Sequence, residues 1–216
     1  MEMEHVLLED FGVEIDPVEV KRFLGSRDEG EGVPSARLEE VLSESISLAR
    51  DLVRPRGIYT VTAGKLLPGS KMFEDLERVA FCICTIGSRL EEEVTAMSAR
   101  GELLRAVVLD SVGSVSAEAV AEHIDRVIQD EASQEGLKTS CRASPGYGDW
   151  DIREQSSIFD LLPAERIGVR LTDRYMMIPR KSVSFAIHIA EKPVRTRSEN
   201  SCRNCDIKDC PYRLLE

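Results

Sequence analysis

The amino-acid sequence predicts an α+β protein, and three observations carry that reading. Helical and strand patterns share the chain without the regular alternation of a doubly wound fold. Arg78 to Ile86 (RVAFCICTI) is a continuous apolar run, as expected of a strand buried on both faces. A long three-four apolar rhythm runs from Glu102 to about Glu131, the signature of one buried helix face.

The elements follow in order. Asp16-Pro17-Val18-Glu19 reads as a helix start, with an Asp cap, Pro at the first helical position and an acid in the first turn. Gly25 ends that short helix, and 26–34 (SRDEGEGVP) is a polar loop. A second helix is expected from Ser35 to Leu52, with Leu38, Val41, Leu42, Ile46 and Leu48/Ala49 as its apolar stripe, stopped by Pro55. Residues 1–55 are thus read as mostly helical. Gly57 to Ala63 is β-branched and aromatic enough for a strand. In the apolar run 78–86, Cys82 and Cys84 stand two apart and so share a face, where small buried core residues are expected. Ser88 to Ala99 is helical and Gly101 breaks it.

In the long helix, Leu104, Val107, Val108, Val112, Val115, Ala119 and Ile124 are assigned to the buried face. Its middle, DSVGSVSAEAVAE, is rich in small residues, which permit close approach of a neighbouring element or a ligand. Beyond Gly136 the chain changes character. Residues 137–190 hold the only Trp together with Pro145, Pro163 and Pro179, and rings and rigid turns gathered in one segment suggest a site. Strands are expected near 138–142, 168–172 and 182–190, with a helix from Asp151 to Leu162. Residues 1–195 are read as one domain and 196–216 as a cysteine-rich tail.

Composition narrows the function. The 216 residues are 42% hydrophobic and 31% charged, ordinary for a globular protein, and the net charge is −11. Thirteen acids and five bases in residues 1–50 account for much of that surplus. Such a balance argues against wide contact with nucleic acid or an anionic membrane. The chain has no spanning apolar run and begins with acidic MEMEHVLLED, so a cytoplasmic location with reduced cysteines is expected. No G-x-G-x-x-G follows a strand and no phosphate-binding G-x-x-x-x-G-K-[ST] occurs. His5, His123 and His188 have no partner spacing, and His188 is read as a packed or edge residue. Nothing in the sequence resembles a Ser-His-Asp or Cys-His arrangement.

Residues 142–147 read Arg-Ala-Ser-Pro-Gly-Tyr. Pro145-Gly146 is a tight turn, across which Arg142 and Tyr147 can face one pocket. The guanidinium fork suits a carboxylate, and backbone amides freed by the turn are expected to add donors. The alternatives are a structural ion pair for Arg142 and a core role for Tyr147.

The segment from Cys141 to Phe185 resembles the activation domain of cobalamin-dependent methionine synthase. The R-x-x-x-G-Y signature is Arg142, Gly146 and Tyr147. A Leu-Leu-bearing helix (Ile158 to Leu162), Ile167-Gly168 with Leu171-Thr172, and Met177-x-Pro179 with Ser182-Val183-Ser184 follow in order. Upstream, Ala117 to Glu122 resembles that family's Ala-Glu-Ala-Phe-Ala-Glu stretch. Where the family has Ser-Val-Ser-Gly, this chain has Phe185, and a downstream family Tyr has no match in 186–195.

The resemblance implies a mixed or antiparallel sheet flanked by helices and a site for S-adenosylmethionine. Arg142 would hold the ligand's carboxylate, Gly146 and Tyr147 would shape the turn over it, and Glu118 would meet its polar groups. Met176, Met177 and Pro179 would face the corrinoid. The homocysteine, folate and cobalamin modules have no counterpart here, so the chain resembles the free-standing form. It would then serve as an accessory reactivation subunit supporting reductive remethylation of cob(II)alamin on a separate methionine synthase chain, fed by a donor such as flavodoxin or ferredoxin. Two other readings stay open: an activator of a different corrinoid methyltransferase, and a non-catalytic S-adenosylmethionine-binding interaction module.

The tail, SCRNCDIKDCPYR, has a C-x₂-C-x₄-C-P pattern in Cys202, Cys205 and Cys210. Three thiolates suit an iron–sulfur cluster with one open site, or zinc with a fourth ligand from elsewhere, for which Cys141 is the candidate. Unliganded thiols are the remaining alternative.

Overall fold

The computed structural model describes residues 4–25, 36–67, 73–148 and 150–192. Its centre is a five-stranded antiparallel sheet in the order β1-β2-β3-β7-β4, built from β1 (Val6–Leu8), β2 (Arg56–Thr62), β3 (Val79–Thr85), β4 (Lys138–Thr139) and β7 (Ser182–Ala190). A separate two-stranded ribbon pairs β5 (Arg170–Leu171) with β6 (Met177–Ile178). The helices are α1 (Pro17–Phe23), α2 (Ala36–Leu52), α3 (Arg89–Ala99), α4 (Leu103–Gln134) and α5 (Gln155–Leu161). The expected α+β class is what the chain adopts, and every ladder among the described residues is antiparallel.

Two cores explain why β3 reads as one apolar run. Tyr59, Ala80, Cys82, Cys84, Phe185 and Ile187 face α4 and its helical neighbours. Ile58, Val79, Phe81, Ile83 and Ala186 face the other way, against Phe73, Trp150 and Ile158. Every residue of β3 is buried. Each large apolar side chain moved from water in this way contributes about 1.5–3 kcal/mol. Cys82 and Cys84 are core residues on one face, as their spacing predicts.

The helix signals hold at their ends. Asp16 caps α1 by accepting from the Val18 amide at 2.8 Å, and Pro17 takes the first helical position. The small-residue middle of α4 serves close packing: a Cβ on Gly113 would lie 2.6 Å from Leu90 Cδ2 and 3.3 Å from Lys181 Cε. Lys181 donates from Nζ to Ser114 Oγ at 2.8 Å and pairs with Asp110 at 3.0 Å.

Other expectations are corrected. Leu104 and Val107, assigned to the buried face of α4, are 48% and 57% exposed, because the face that packs inward in these first turns runs through Ala106, Val108 and Leu109. The expected strand 138–142 is only two residues long before its ladder is interrupted. The expected helix 151–162 starts as a 3₁₀ turn at Ile152–Glu154, and only Gln155–Leu161 is α-helical. Gly168 is a left-handed cap rather than a strand residue, so β5 begins at Arg170. Neither β1 nor β6 is marked in the sequence, being too short to show alternation.

Candidate functional site

Arg142 projects from an irregularity in the sheet. Thr139 pairs with Ile189, and Ala143 pairs with Ala186. Three residues (Ser140, Cys141 and Arg142) therefore stand opposite two (Ile187 and His188), which is a β-bulge. Side-chain bonding holds it in place. The Ser140 amide donates to the His188 carbonyl at 2.8 Å, and the His188 amide donates back to Ser140 Oγ at 2.9 Å. A bulge re-aims the side chain it carries. Here the side chain is directed to the α4 side, over the sheet.

Three groups meet the guanidinium. Arg142 Nη2 donates to Glu118 Oε2 at 3.2 Å, and Nε lies 3.9 Å from Asp125 Oδ2. Cζ sits 5.6 Å from the ring centroid of Phe185 on β7. Glu118 and Asp125 are seven residues apart on α4, two turns, and so share one face. Their settings differ: the Glu118 side chain is 52% exposed, whereas Asp125 is buried. Arg142, with a 28% exposed side chain, spans the two. Below them burial pushes the Cys84 thiol up to about 12 while the Arg142 guanidinium pulls it down, and burial likewise raises Cys82. Both thiols are neutral near pH 7, as buried cysteines without a base are.

The turn after Arg142 is built as its sequence suggests. The Tyr147 amide donates to the Ser144 carbonyl at 3.2 Å, and Gly146 has φ +89°. Pro145 and Gly146 thus occupy the central positions of a type II turn. One expectation fails here. The Gly146 amide is engaged with the Trp150 carbonyl at 2.7 Å and the Tyr147 amide with Ser144, so neither is freed for a ligand. Trp150 anchors the turn from below, buried against Phe73 with ring centroids 4.7 Å apart. The Tyr147 residue is 74% exposed, which excludes the core role.

The methionine segment lies on the β5–β6 hairpin. Met176 is 55% exposed at its turn, Met177 packs half-buried into the second core, and Pro179 is buried. Gln155 steadies that turn, a role not legible in the sequence. Its Nε2 donates to the Tyr175 carbonyl at 3.0 Å, and its Oε1 accepts from Ser184 Oγ at 3.0 Å. Asp125 was missed as well; its only sequence signal is an acid two helical turns beyond Glu118.

Cys202, Cys205 and Cys210 lie outside the described residues. Cys141 is half-buried on the bulge beside Arg142. Among the described residues no group of three or more His, Cys, Asp or Glu side chains is placed to hold a metal, and no helix is long and apolar enough to cross a membrane.

Comparison with known proteins agrees with this architecture. Residues 69–196 match the family described as vitamin B12 dependent methionine synthase, activation domain. The fold is similar to that in the crystal structure of the MetH reactivation domain bound to AdoHcy. The TM-score is 0.61 at 14% identity, over 86% of this chain and 78% of that one. The matched span includes Arg142, Glu118, Asp125, the Gly146 turn and the methionine hairpin.

Proposed function

The chain belongs to the family of vitamin B12 dependent methionine synthase activation domains, and on that premise we propose that it binds S-adenosylmethionine where Arg142 meets Glu118. It would thereby support reductive remethylation of cob(II)alamin held by a cobalamin-binding methionine synthase chain. One observation carries the reading. The bulge and α4 bring a cation and an anion side by side at the surface, and both keep bonding capacity to spare. That pair complements the α-carboxylate and α-ammonium of an amino-acid ligand.

In this arrangement Arg142 holds the carboxylate, and Glu118 turns to the ammonium. Gly146 sets the turn that carries Tyr147, whose exposed ring would lie over the ligand. Met176 is the accessible member of the corrinoid-facing set, with Met177 and Pro179 supporting it from within. The partner's corrinoid supplies the methyl acceptor, after one electron from a donor such as flavodoxin or ferredoxin. This chain would supply binding and orientation.

The test is anaerobic. The protein is mixed with a cob(II)alamin-loaded partner, a reductant and methyl-labelled S-adenosylmethionine. Label appearing in methylcobalamin is the expected result. Binding without methyl transfer to any corrinoid protein would make the chain an interaction module instead.

A second reading is favoured by the cysteine tail, which lies beyond the family-matched residues. With a redox metal on Cys202, Cys205 and Cys210, alone or with Cys141, the chain would deliver its own electron to another corrinoid methyltransferase.

A further inference from the structure

Arg142 has five donors in one plane, yet it makes one hydrogen bond, to Glu118, and one longer ion pair, to Asp125. These two contacts come from one helix and engage Nη2 and Nε, so that Nη1 takes part in neither and the face of the group is left to be met from the sheet. From the sheet side the guanidinium stands over an aromatic ring. Phe185 is fully buried in a central strand, in register with Cys82 on β3, so its ring cannot swing aside. The guanidinium carbon stands 5.6 Å from the ring centroid, within the range of a cation–π contact.

We propose that Phe185 is a positioning residue: it forms the floor on which the Arg142 guanidinium rests, and so presents that group's free edge to a ligand carboxylate. The inference rests on the reading of Arg142 as the carboxylate anchor. It predicts selectivity. Phe185 acts only through the guanidinium, so it matters for ligands that carry the carboxylate and not for those that lack it.

The experiment compares S-adenosylmethionine with its decarboxylated counterpart, by calorimetry on the full chain and on F185L, R142A and F185L/R142A. F185L is expected to weaken S-adenosylmethionine binding about three- to tenfold, to leave the decarboxylated ligand unchanged, and to add no loss on top of R142A. F185M serves in its place if F185L does not fold. In the unmutated protein the Arg142 Nε–Hε proton resonance is expected upfield from the ring current, and the shift disappears in the Leu or Met variant. Equal weakening of both ligands, or unchanged affinity and no ring-current shift, would overturn the inference and leave Phe185 as core alone. R142A that binds both ligands as tightly as the unmutated chain would overturn the underlying reading instead.

Discussion

Arg142 Nη2 lies 3.2 Å from Glu118 Oε2, although the two residues are 24 apart in the chain. The contact joins a bulged strand edge to the face of a 32-residue helix. Both side chains reach solvent, so the pair itself contributes at most about 1 kcal/mol to stability. A ligand with its own carboxylate and ammonium can therefore replace it at little cost.

R142A is accordingly expected to weaken S-adenosylmethionine binding by about one to two orders of magnitude, the loss of a charge-assisted hydrogen-bonded anchor. Its unfolding midpoint should fall as well, because the buried Asp125 loses an ion-pair partner. Unchanged affinity in calorimetry would mean that the signature has been misread.

The turn at Gly146 makes a separate prediction. At φ +89° an Ala is strained, and its Cβ would meet Ile152 Cδ1 at 3.3 Å. G146A should lose about 1–2 kcal/mol in urea denaturation. A variant as stable as the parent would show that the turn adopts another conformation.

Gln155 joins Ser184 to the Tyr175 carbonyl from a buried position. Q155L strands both partners, at a cost of about 1–3 kcal/mol. Amide exchange should quicken specifically across 172–176, the turn that presents Met176. Uniformly unchanged exchange would show that the hairpin does not depend on Gln155.

Burial lowers His123 from its ordinary 6.5, with Arg126 adding to the effect, and burial lowers His188 likewise. The unfolded chain then takes up protons before the folded one does. The stabilisation from keeping these rings neutral is full above pH 6.5 and is lost as pH falls through their lowered values. Phe11, stacked on His123 at 4.3 Å, should loosen in the same window. Unfolding midpoints from pH 8 to 5 should decline less steeply in H123Q/H188Q; parallel curves would exclude the two histidines as the source.

The tail predicts bound metal. Protein purified anaerobically should contain iron or zinc that is lost when Cys202, Cys205 and Cys210 are replaced together by Ser. Colourless, metal-free protein with all three thiols reactive would show that the spacing has no ligand role.

Much of this was legible in the residues. Asp16-Pro17 and Gly101 mark their elements because capping and chain breaking are local properties, and the apolar run through Cys82 and Cys84 marks its strand because burial on both faces requires an uninterrupted apolar segment. The Arg142–Gly146–Tyr147 signature was visible for the same reason: a Pro-Gly turn needs no distant partner. Leu104 and Val107 lie off the buried face, which passes through Ala106, Val108 and Leu109. Apolar residues surround these first turns, and periodicity alone does not say which of them the neighbouring elements cover.

What the sequence determined by itself was the α+β class, the main helices and strands, the family and the identity of the candidate anchor. Only the tertiary structure decided where that anchor points. The bulge depends on a register slip between residues far apart in the chain, and register is set by the pairing partner. Asp125, Phe185 and Gln155 gain their roles through contacts across β7, α4 and α5, and no local pattern encodes a meeting of that kind.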